Sequence, residues 1–331
     1  MFYFIINPAA RSGRGKKIWN ELREELERKN VEYRFYYTAK ERGVGRIARC
    51  ILNTNRGSVT IVLLGGDGTV NEFLQGVAAC GDDSFERLRM GYIPAGSATD
   101  LARALELPAD PMENLKRILA AGDGKLSYVD GTQAATERAT DLGLLCYQDA
   151  EKKELNGRSR LFVVSAGMGF DAAVCAESAA SGEKKLLNRI GLGGLSYGLL
   201  CVKRLLGAPR NNCTVFMDRK RVYAAKDCLF VTVMNHKYQG GGVMFAPAAL
   251  GNDGILDLCF TDRISRGKVL FTFPKAYSGA HVGTKGIILE QAREVRIAAS
   301  TYLWVHTDGE VRTKARSLTV RCLPGKLRLL V

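Results

Sequence analysis

Residues 59–72, VTIVLLGGDGTVNE, constrain the fold more than any other stretch of the chain. The apolar run Val59–Leu64 reads as a strand covered on both faces. It enters Gly65-Gly66-Asp67-Gly68 and then a helical pattern, Thr69–Ala79. A doubly covered strand running into a helix belongs to an open, mostly parallel α/β sheet. The surrounding sequence repeats the alternation. Phe2–Ile6, Tyr33–Tyr37 and Met90–Ile93 read as strands, and Lys16–Lys29, Arg42–Leu52, Ala98–Leu105 and Met112–Ala121 as helices.

The pattern changes near Tyr128. Short β-rich runs follow, at Leu161–Ala166, Asn212–Met217, Cys228–Met234, Ile255–Phe260, Glu294–Ala298, Leu303–His306 and Leu318–Cys322. Gly and polar turns separate them, as in an antiparallel sandwich or barrel. Two segments interrupt the series. Glu137–Arg160 is polar and reads as an extended loop or hairpin, and Leu186–Leu206 is Leu- and Gly-rich and reads as partly helical. Pro324-Gly325 is expected to turn the chain, so that the last apolar residues return to the first domain. The expected division is an α/β domain at 1–127 completed by 323–331, and a β-sandwich domain at 128–322.

Composition narrows the function classes. With 331 residues, 46% hydrophobic and 25% charged, the chain is not disordered throughout. Its net charge is +14, of which +3 falls in 1–127 and +11 in the remainder. A basic second half suits an anionic partner (a membrane surface, nucleic acid or a phosphorylated ligand) or serves solubility. Nine cysteines without a CxxC pair, and only three histidines, argue against zinc and for thiols in a reducing compartment. MFYFIINPAARSG does not have the pattern of a signal peptide. No window reaches the roughly 18 uninterrupted apolar residues of a membrane-spanning helix, so any membrane contact is expected to be peripheral.

Three strand-to-helix loops are candidates for holding phosphate. In Gly65–Gly68, glycines let the backbone approach an anion, and the helix start presents free N–H groups. Asp67 would be repelled there unless a cation intervened, so it is a candidate for Mg²⁺, or else it serves a tight turn. Asn7-Pro8-Ala9-Ala10-Arg11-Ser12-Gly13 is basic and Gly-containing but lacks Walker A spacing. Pro94-Ala95-Gly96-Ser97-Ala98-Thr99-Asp100 is the third, with ordinary N-capping as its plain alternative. In a parallel sheet all three converge at the carboxyl ends of the strands.

Gly167-Met168-Gly169-Phe170-Asp171-Ala172 matches a dinucleotide fingerprint, but a βαβ setting and the acidic residue that should follow are missing. Leu250-Gly251-Asn252-Asp253-Gly254-Ile255-Leu256-Asp257 is rich in oxygen ligands, and reads as a Mg²⁺ or Ca²⁺ turn or as a hairpin. Thr307-Asp308-Gly309-Glu310 puts two carboxylates at i and i+2. One can serve as base while the other holds a cation, or the four residues form a second hairpin turn.

Taken together, NPAARSG, GGDGTVNE, PAGSATDLAR, APAALGNDGILD and TDGE resemble the diacylglycerol kinase catalytic-domain family, bacterial lipid kinases akin to sphingosine kinases. The resemblance spans nearly the whole chain, and GGDGT alone is shared with NAD kinases and phosphofructokinases. It implies an α/β domain and a β-sandwich flanking a nucleotide cleft. ATP would be held by Asn7, Ser12, Gly13, Thr38, Gly65, Gly66, Asp67, Gly68, Thr69, Asn71, Ser97 and Thr99. The match to TDGE casts Asp308 as the general base and Glu310 as a ligand of catalytic Mg²⁺. The match to LGNDGI implies a second, structural Mg²⁺ on the Leu250 carbonyl, the Asp253 side chain and the Ile255 carbonyl, with Asp67, Asp100 and Asp130 tied to that network. Thr99 stands where the family commonly carries Asn.

The resulting expectation is an ATP- and Mg²⁺-dependent lipid kinase, cytoplasmic and peripheral to the inner face of an anionic membrane, with diacylglycerol as acceptor and no nucleic-acid partner. Leu186–Leu206 is the candidate for apolar lipid contact. A homodimer is left open. The alternatives are another lipid alcohol, such as a sphingoid base or phosphatidylglycerol, or a nucleotide-binding regulatory module without catalysis.

Overall fold

The apolar run Phe2–Ile6 is buried at every position and forms β1 of a computed structural model, which describes residues 1–39, 41–96, 99–122, 136–180, 205 and 207–331. The chain divides into two compact units, Met1–Leu142 with Pro324–Val331, and Gly143–Leu323.

In the first unit β1 pairs in parallel with β2 (Tyr33–Tyr37) and β3 (Val59–Gly65), and β3 with β4 (Leu88–Pro94). The end of the chain's last strand adds beside β4, with Leu329 opposite Met90. Among the described residues, seven helices connect and cover these strands: α1 (Ala10–Gly13), α2 (Gly15–Arg28), α3 (Val44–Thr54), α4 (Asp67–Ala78), α5 (Asp83–Arg87), α6 (Asp100–Ala104) and α7 (Pro111–Gly122). On α2 the apolar residues recur every three or four positions, so Trp19, Leu22 and Leu26 share one buried face. Trp19 packs 5.0 Å from Phe4 between ring centroids. Gly45 and Gly76 let α3 and α4 touch backbone to backbone, since a Cβ on Gly76 would lie 2.4 Å from the Gly45 backbone.

β5 (Glu137–Ala150) passes from the first unit into the second. Next come β6 (Ser159–Phe162), β7 (Ser165–Gly169), α8 (Phe170–Ala180), β8 (Asn211–Met217), β9 (Arg221–Cys228), β10 (Phe230–Met234), β11 (Tyr238–Gln239) and β12 (Val243–Met244). The remaining elements are β13 (Leu256–Thr261), α9 (Arg266–Thr272), β14 (Ile287–Ala292), β15 (Glu294–Thr307) and β16 (Glu310–Leu330). Strands run antiparallel in the order β14-β13-β10-β7-β15-β16, with β8 and β9 added beside β15. The core holds Met168, Val231, Val233, Leu258, Phe260, Val295, Val305 and Val320. The architecture is an α/β unit with a parallel sheet and an antiparallel β-sandwich unit.

Glu137–Arg160 takes the hairpin alternative: β5 and β6 pair antiparallel, with Leu145 opposite Arg160, and the polar residues are carried on partly exposed strand positions. Two local expectations are corrected. Glu294–Ala298 and Leu303–His306 are one strand, β15, interrupted by a register shift. Pro324-Gly325 does not reverse the chain but lies inside β16, where Gly325 takes φ +57° and its N–H donates to Asp141 Oδ1 at 2.7 Å. The Gly167–Ala172 fingerprint falls at the β7–α8 junction. Both neighbours of β7 are antiparallel, so the βαβ unit of a dinucleotide fold is not built there.

Candidate active site

Strand register brings the first unit's loops to one edge. Ile6 lies opposite both Leu64 and Tyr37, and Gly65 opposite Pro94. Asn7, Thr38, Gly66 and Ala95 are therefore the first residues past the carboxyl ends of four parallel strands, the edge where open α/β sheets bind ligands. Backbone bonds tie them together. Asn7 N donates to Leu64 O at 2.9 Å, Thr38 N to Ile6 O at 2.9 Å, and Ala95 N to Gly65 O at 2.7 Å.

Side chains complete the set. Asn7 Nδ2 donates to Thr69 Oγ1 at 3.4 Å, and Asn7 Oδ1 accepts from Ala9 N at 3.1 Å. Gly65 has to be glycine, because a Cβ there would meet Thr69 Oγ1 at 2.4 Å. Gly66 caps α4 without a side chain, and Gly13 takes φ +95°. Asp67, at the start of α4, accepts from Asp100 N at 2.8 Å and from the Tyr92 hydroxyl at 3.4 Å. Burial, and next to it the Asp67 charge, push the Tyr92 phenol well above its usual value, so it stays a donor. Asp100 and Asn71 are buried, and Thr99 caps α6 through its carbonyl to Arg103 N. Tyr92 has no sequence signal of its own; only the fold sets it beside Asp67. Ser97, Asp130 and all of Leu186–Leu206 except Leu205 lie outside the described residues, as does the Ser12 side chain.

In the second unit Asp308 stands at φ +49° between β15 and β16. Its Oδ1 accepts from Val164 N at 2.8 Å and Ser165 N at 3.0 Å, and its Oδ2 from Val163 N at 3.0 Å. A carboxylate offers about four lone-pair directions. Three go to fixed amides, which orient the carboxylate closely. Glu310 is exposed at the start of β16.

Arg160, on β6, is a residue that sequence reasoning missed. Its Nε donates to Thr307 Oγ1 at 3.3 Å. Burial and Arg312 pull its pKa down while Glu310 and Asp308 pull it up, so two cations and two carboxylates share this corner. Arg160 precedes Thr307 by 147 positions, too far for any motif to register.

The Leu250–Asp257 turn is built on Gly251 and Gly254 at φ +74° and +75°, and Asp253 Oδ1 accepts from Ile255 N at 3.0 Å. Asp257 sits behind it, buried and held by Gln291 Nε2 at 2.9 Å. Burial raises its pKa, and the nearby Asp253 charge raises it further. Two neighbouring carboxylates on an oxygen-rich turn are a donor set of the kind that suits a hard cation. Among the described residues no group of three or more His, Cys, Asp or Glu side chains converges as a metal cluster. A cavity of about 190 Å³ lies among Phe170, Leu229, Tyr302, Trp304 and Lys314. No helix among the described residues is long and apolar enough to cross a membrane.

Comparison with known proteins gives two family matches. Residues 1–131 match the diacylglycerol kinase catalytic domain, and residues 163–331 match the YegS C-terminal NAD kinase beta sandwich-like domain. A diacylglycerol kinase of Mycobacterium tuberculosis is 29% identical over 255 residues, covering 77% of this chain and 71% of that protein. A diacylglycerol kinase of Bacillus subtilis is 27% identical over 250 residues, covering 76% and 70%. The crystal structure of a diacylglycerol kinase from Bacillus anthracis superposes with a TM-score of 0.73 at 21% identity, covering 99% of this chain and 96% of that one.

Proposed function

The chain belongs to the bacterial diacylglycerol/lipid kinase family, whose members are phosphotransferases, and we propose that it transfers the γ-phosphate of ATP to the hydroxyl of diacylglycerol, giving phosphatidic acid and ADP. The observation that carries this reading is the Asp308 carboxylate, held by three backbone amides beside Glu310 and Arg160.

Phosphoryl transfer asks a protein mainly for positioning and for neutralisation of charge. In this reading the Asn7–Gly13 loop, Thr38, Gly65–Thr69, Asn71 and Ser97–Thr99 hold the nucleotide. Asp308 takes the proton of the acceptor hydroxyl. That oxygen bonds to the γ-phosphorus, the bond from phosphorus to the β-bridging oxygen breaks, and ADP leaves with the electron pair. Mg²⁺ would supply charge neutralisation on the phosphates, with Glu310 as ligand. Leu250, Asp253 and Ile255 would hold a second, structural Mg²⁺, with Asp67, Asp100 and Asp130 belonging to the same acidic network. Arg160 adds positive charge where a phosphoryl group carries negative charge. The +11 charge outside residues 1–127 suits peripheral residence at an anionic membrane.

The test is transfer of labelled γ-phosphate, with Mg²⁺, to diacylglycerol, sphingosine, ceramide or phosphatidylglycerol in neutral mixed micelles, with NAD as a soluble control. Labelled phosphatidic acid that disappears when Mg²⁺ is chelated is the expected result. Labelling of a different lipid would change the acceptor. Nucleotide binding without transfer to any lipid would overturn the reading in favour of a non-catalytic module.

A further inference from the structure

β13 and β14 pair through Thr261 and Ile287, and Asp262 N donates to Gly286 O at 3.0 Å. Residues 263–285 are therefore an excursion closed at its base, between β13 and the edge strand β14. It contains Arg263, Arg266, Lys268, Lys275 and Lys285 and no Asp or Glu. None of these five cations makes an ion pair with a described residue: Lys268 donates to the Lys285 carbonyl and Arg266 to the Ala208 carbonyl, each at 2.8 Å.

The same excursion exposes large apolar side chains. Among the described residues eight are exposed, and four lie here: Phe271 at 81%, Val282 at 53%, Tyr277 at 47% and Leu270 at 38%. α9 shows how this arises. Val269 and Thr272 face inward and anchor the helix, which leaves Leu270 and Phe271 pointing away from the protein. Exposed Phe and Tyr side chains interleaved with unpaired cations cost solubility unless something covers them.

We propose that residues 263–285 are the surface by which this protein docks on an anionic phospholipid bilayer. Leu270, Phe271, Tyr277 and Val282 enter the headgroup–acyl boundary, and Arg263, Lys268, Lys275 and Lys285 lie against the lipid phosphates. The inference builds on the lipid-kinase reading, since an enzyme whose acceptor resides in a bilayer must reach it. Charge complementarity selects the occupant: a continuous stretch with five cations and no acid meets its complement on an anionic leaflet, where each basic residue contributes about fivefold in binding.

The experiment is flotation of the full chain with vesicles of phosphatidylcholine alone or mixed with phosphatidylglycerol, at low and high salt. The wild type is expected to float only with anionic vesicles and to be released by salt. Phe271→Ser should lower partitioning about tenfold, and Lys275→Gln with Lys285→Gln about fivefold per lysine. Melting temperature should be unchanged in both variants, and activity on lipid in neutral mixed micelles unchanged in the two-lysine variant. Absence of wild-type flotation, or flotation of the variants equal to wild type, overturns the proposal. So does a fall in oligomer size in the variants with vesicle binding intact, which would make the face a contact between copies. Because the micelle assay needs no vesicle, inactivity there would overturn the kinase reading and not this one.

Discussion

His306 Nε2 lies 3.0 Å from Asp171 Oδ2, both residues buried, with His306 two residues before Asp308 on the same turn-forming strand. The amide of Gly309 donates to His306 Nδ1 at 3.2 Å, so the hydrogen-bond network assigns the ring proton to Nε2, facing Asp171. Thr232 Oγ1 donates to the same Asp171 oxygen at 2.6 Å. The imidazole thus links the α8 carboxylate to the Asp308–Gly309 turn. Replacing His306 by Ala leaves Asp171 buried without its main partner. The expected cost is about 3 kcal/mol of stability, read by thermal or urea unfolding. A loss below about 1 kcal/mol would mean that water takes over the imidazole's role.

Asp171 also gives a pH signature. Burial raises its pKa, but the bonds to His306, Thr232 and Ala172 N outweigh burial and hold it below the ordinary value of 3.8. A depressed carboxylate contributes stability that is present above its unfolded pKa and lost as pH falls through the folded one. The stability gap between wild type and Asp171→Asn should therefore be widest near neutrality and close as pH drops below 3.8. A gap that stays constant with pH would show that the ionisation of Asp171 does not contribute.

Asp308 and Glu310 should respond differently to substitution. An Asn at 308 has one acceptor oxygen where three amides need acceptors, and its NH₂ would confront an N–H group. Asp308→Asn is expected to lower turnover by roughly 10²–10⁴-fold and to destabilise the second unit by about 1–3 kcal/mol. Glu310→Gln is exposed and should impair turnover with melting unchanged. Equal melting temperatures for both variants would mean the three amides find other acceptors.

The strand-to-helix run at Val59–Asn71 is legible because its constraint is local: a doubly buried strand ends at Gly65, where Thr69 leaves no room for a Cβ, and both can be read from adjacent residues. Glu137–Ala150 is legible only as loop or hairpin, because charged and polar residues obscure its strand and its buried Asp141 is satisfied by Gly325 N, 184 positions away. The same distance effect hid Tyr92 and Arg160, whose roles depend on partners that only the fold supplies. Asp308 is legible as a candidate base from the TDGE motif, but its three amide donors come from residues 163–165, which no motif connects to it.

Arg160 supplies the next prediction. Held half-buried by Thr307 and sharing its corner with Arg312, it has positive charge on hand near Asp308 and Glu310. Arg160→Lys keeps the charge but loses the planar fork that matches a phosphoryl group. Steady-state kinetics should show kcat reduced about tenfold or more for Arg160→Lys and further for Arg160→Ala, with little change in the KM for ATP. A rise in KM alone would place the arginine in ground-state nucleotide binding.

Asp257 ties the cation proposed for the Leu250–Ile255 turn to stability. Burial raises its pKa, with Asp253 adding to the shift, so the folded state is penalised when Asp257 ionises. For a raised carboxylate the stability contribution is complete below the unfolded pKa and is lost as pH rises through the folded one. Without divalent cation, Asp257→Asn should thus melt at or above the wild-type temperature at neutral pH and show no advantage in acid. A cation bound at the turn offsets the repulsion between the two carboxylates. Mg²⁺ should therefore raise the wild-type melting temperature, by the equivalent of about 2.7 kcal/mol at a hundredfold excess over its Kd. It should do so much less in Asp253→Ala and Asp257→Asn. Differential scanning calorimetry with Mg²⁺, Ca²⁺ or chelator checks both arms without any substrate. Equal Mg²⁺ stabilisation in wild type and Asp253→Ala would remove the turn from the list of cation sites and leave Asp257 as a buried acid held only by Gln291.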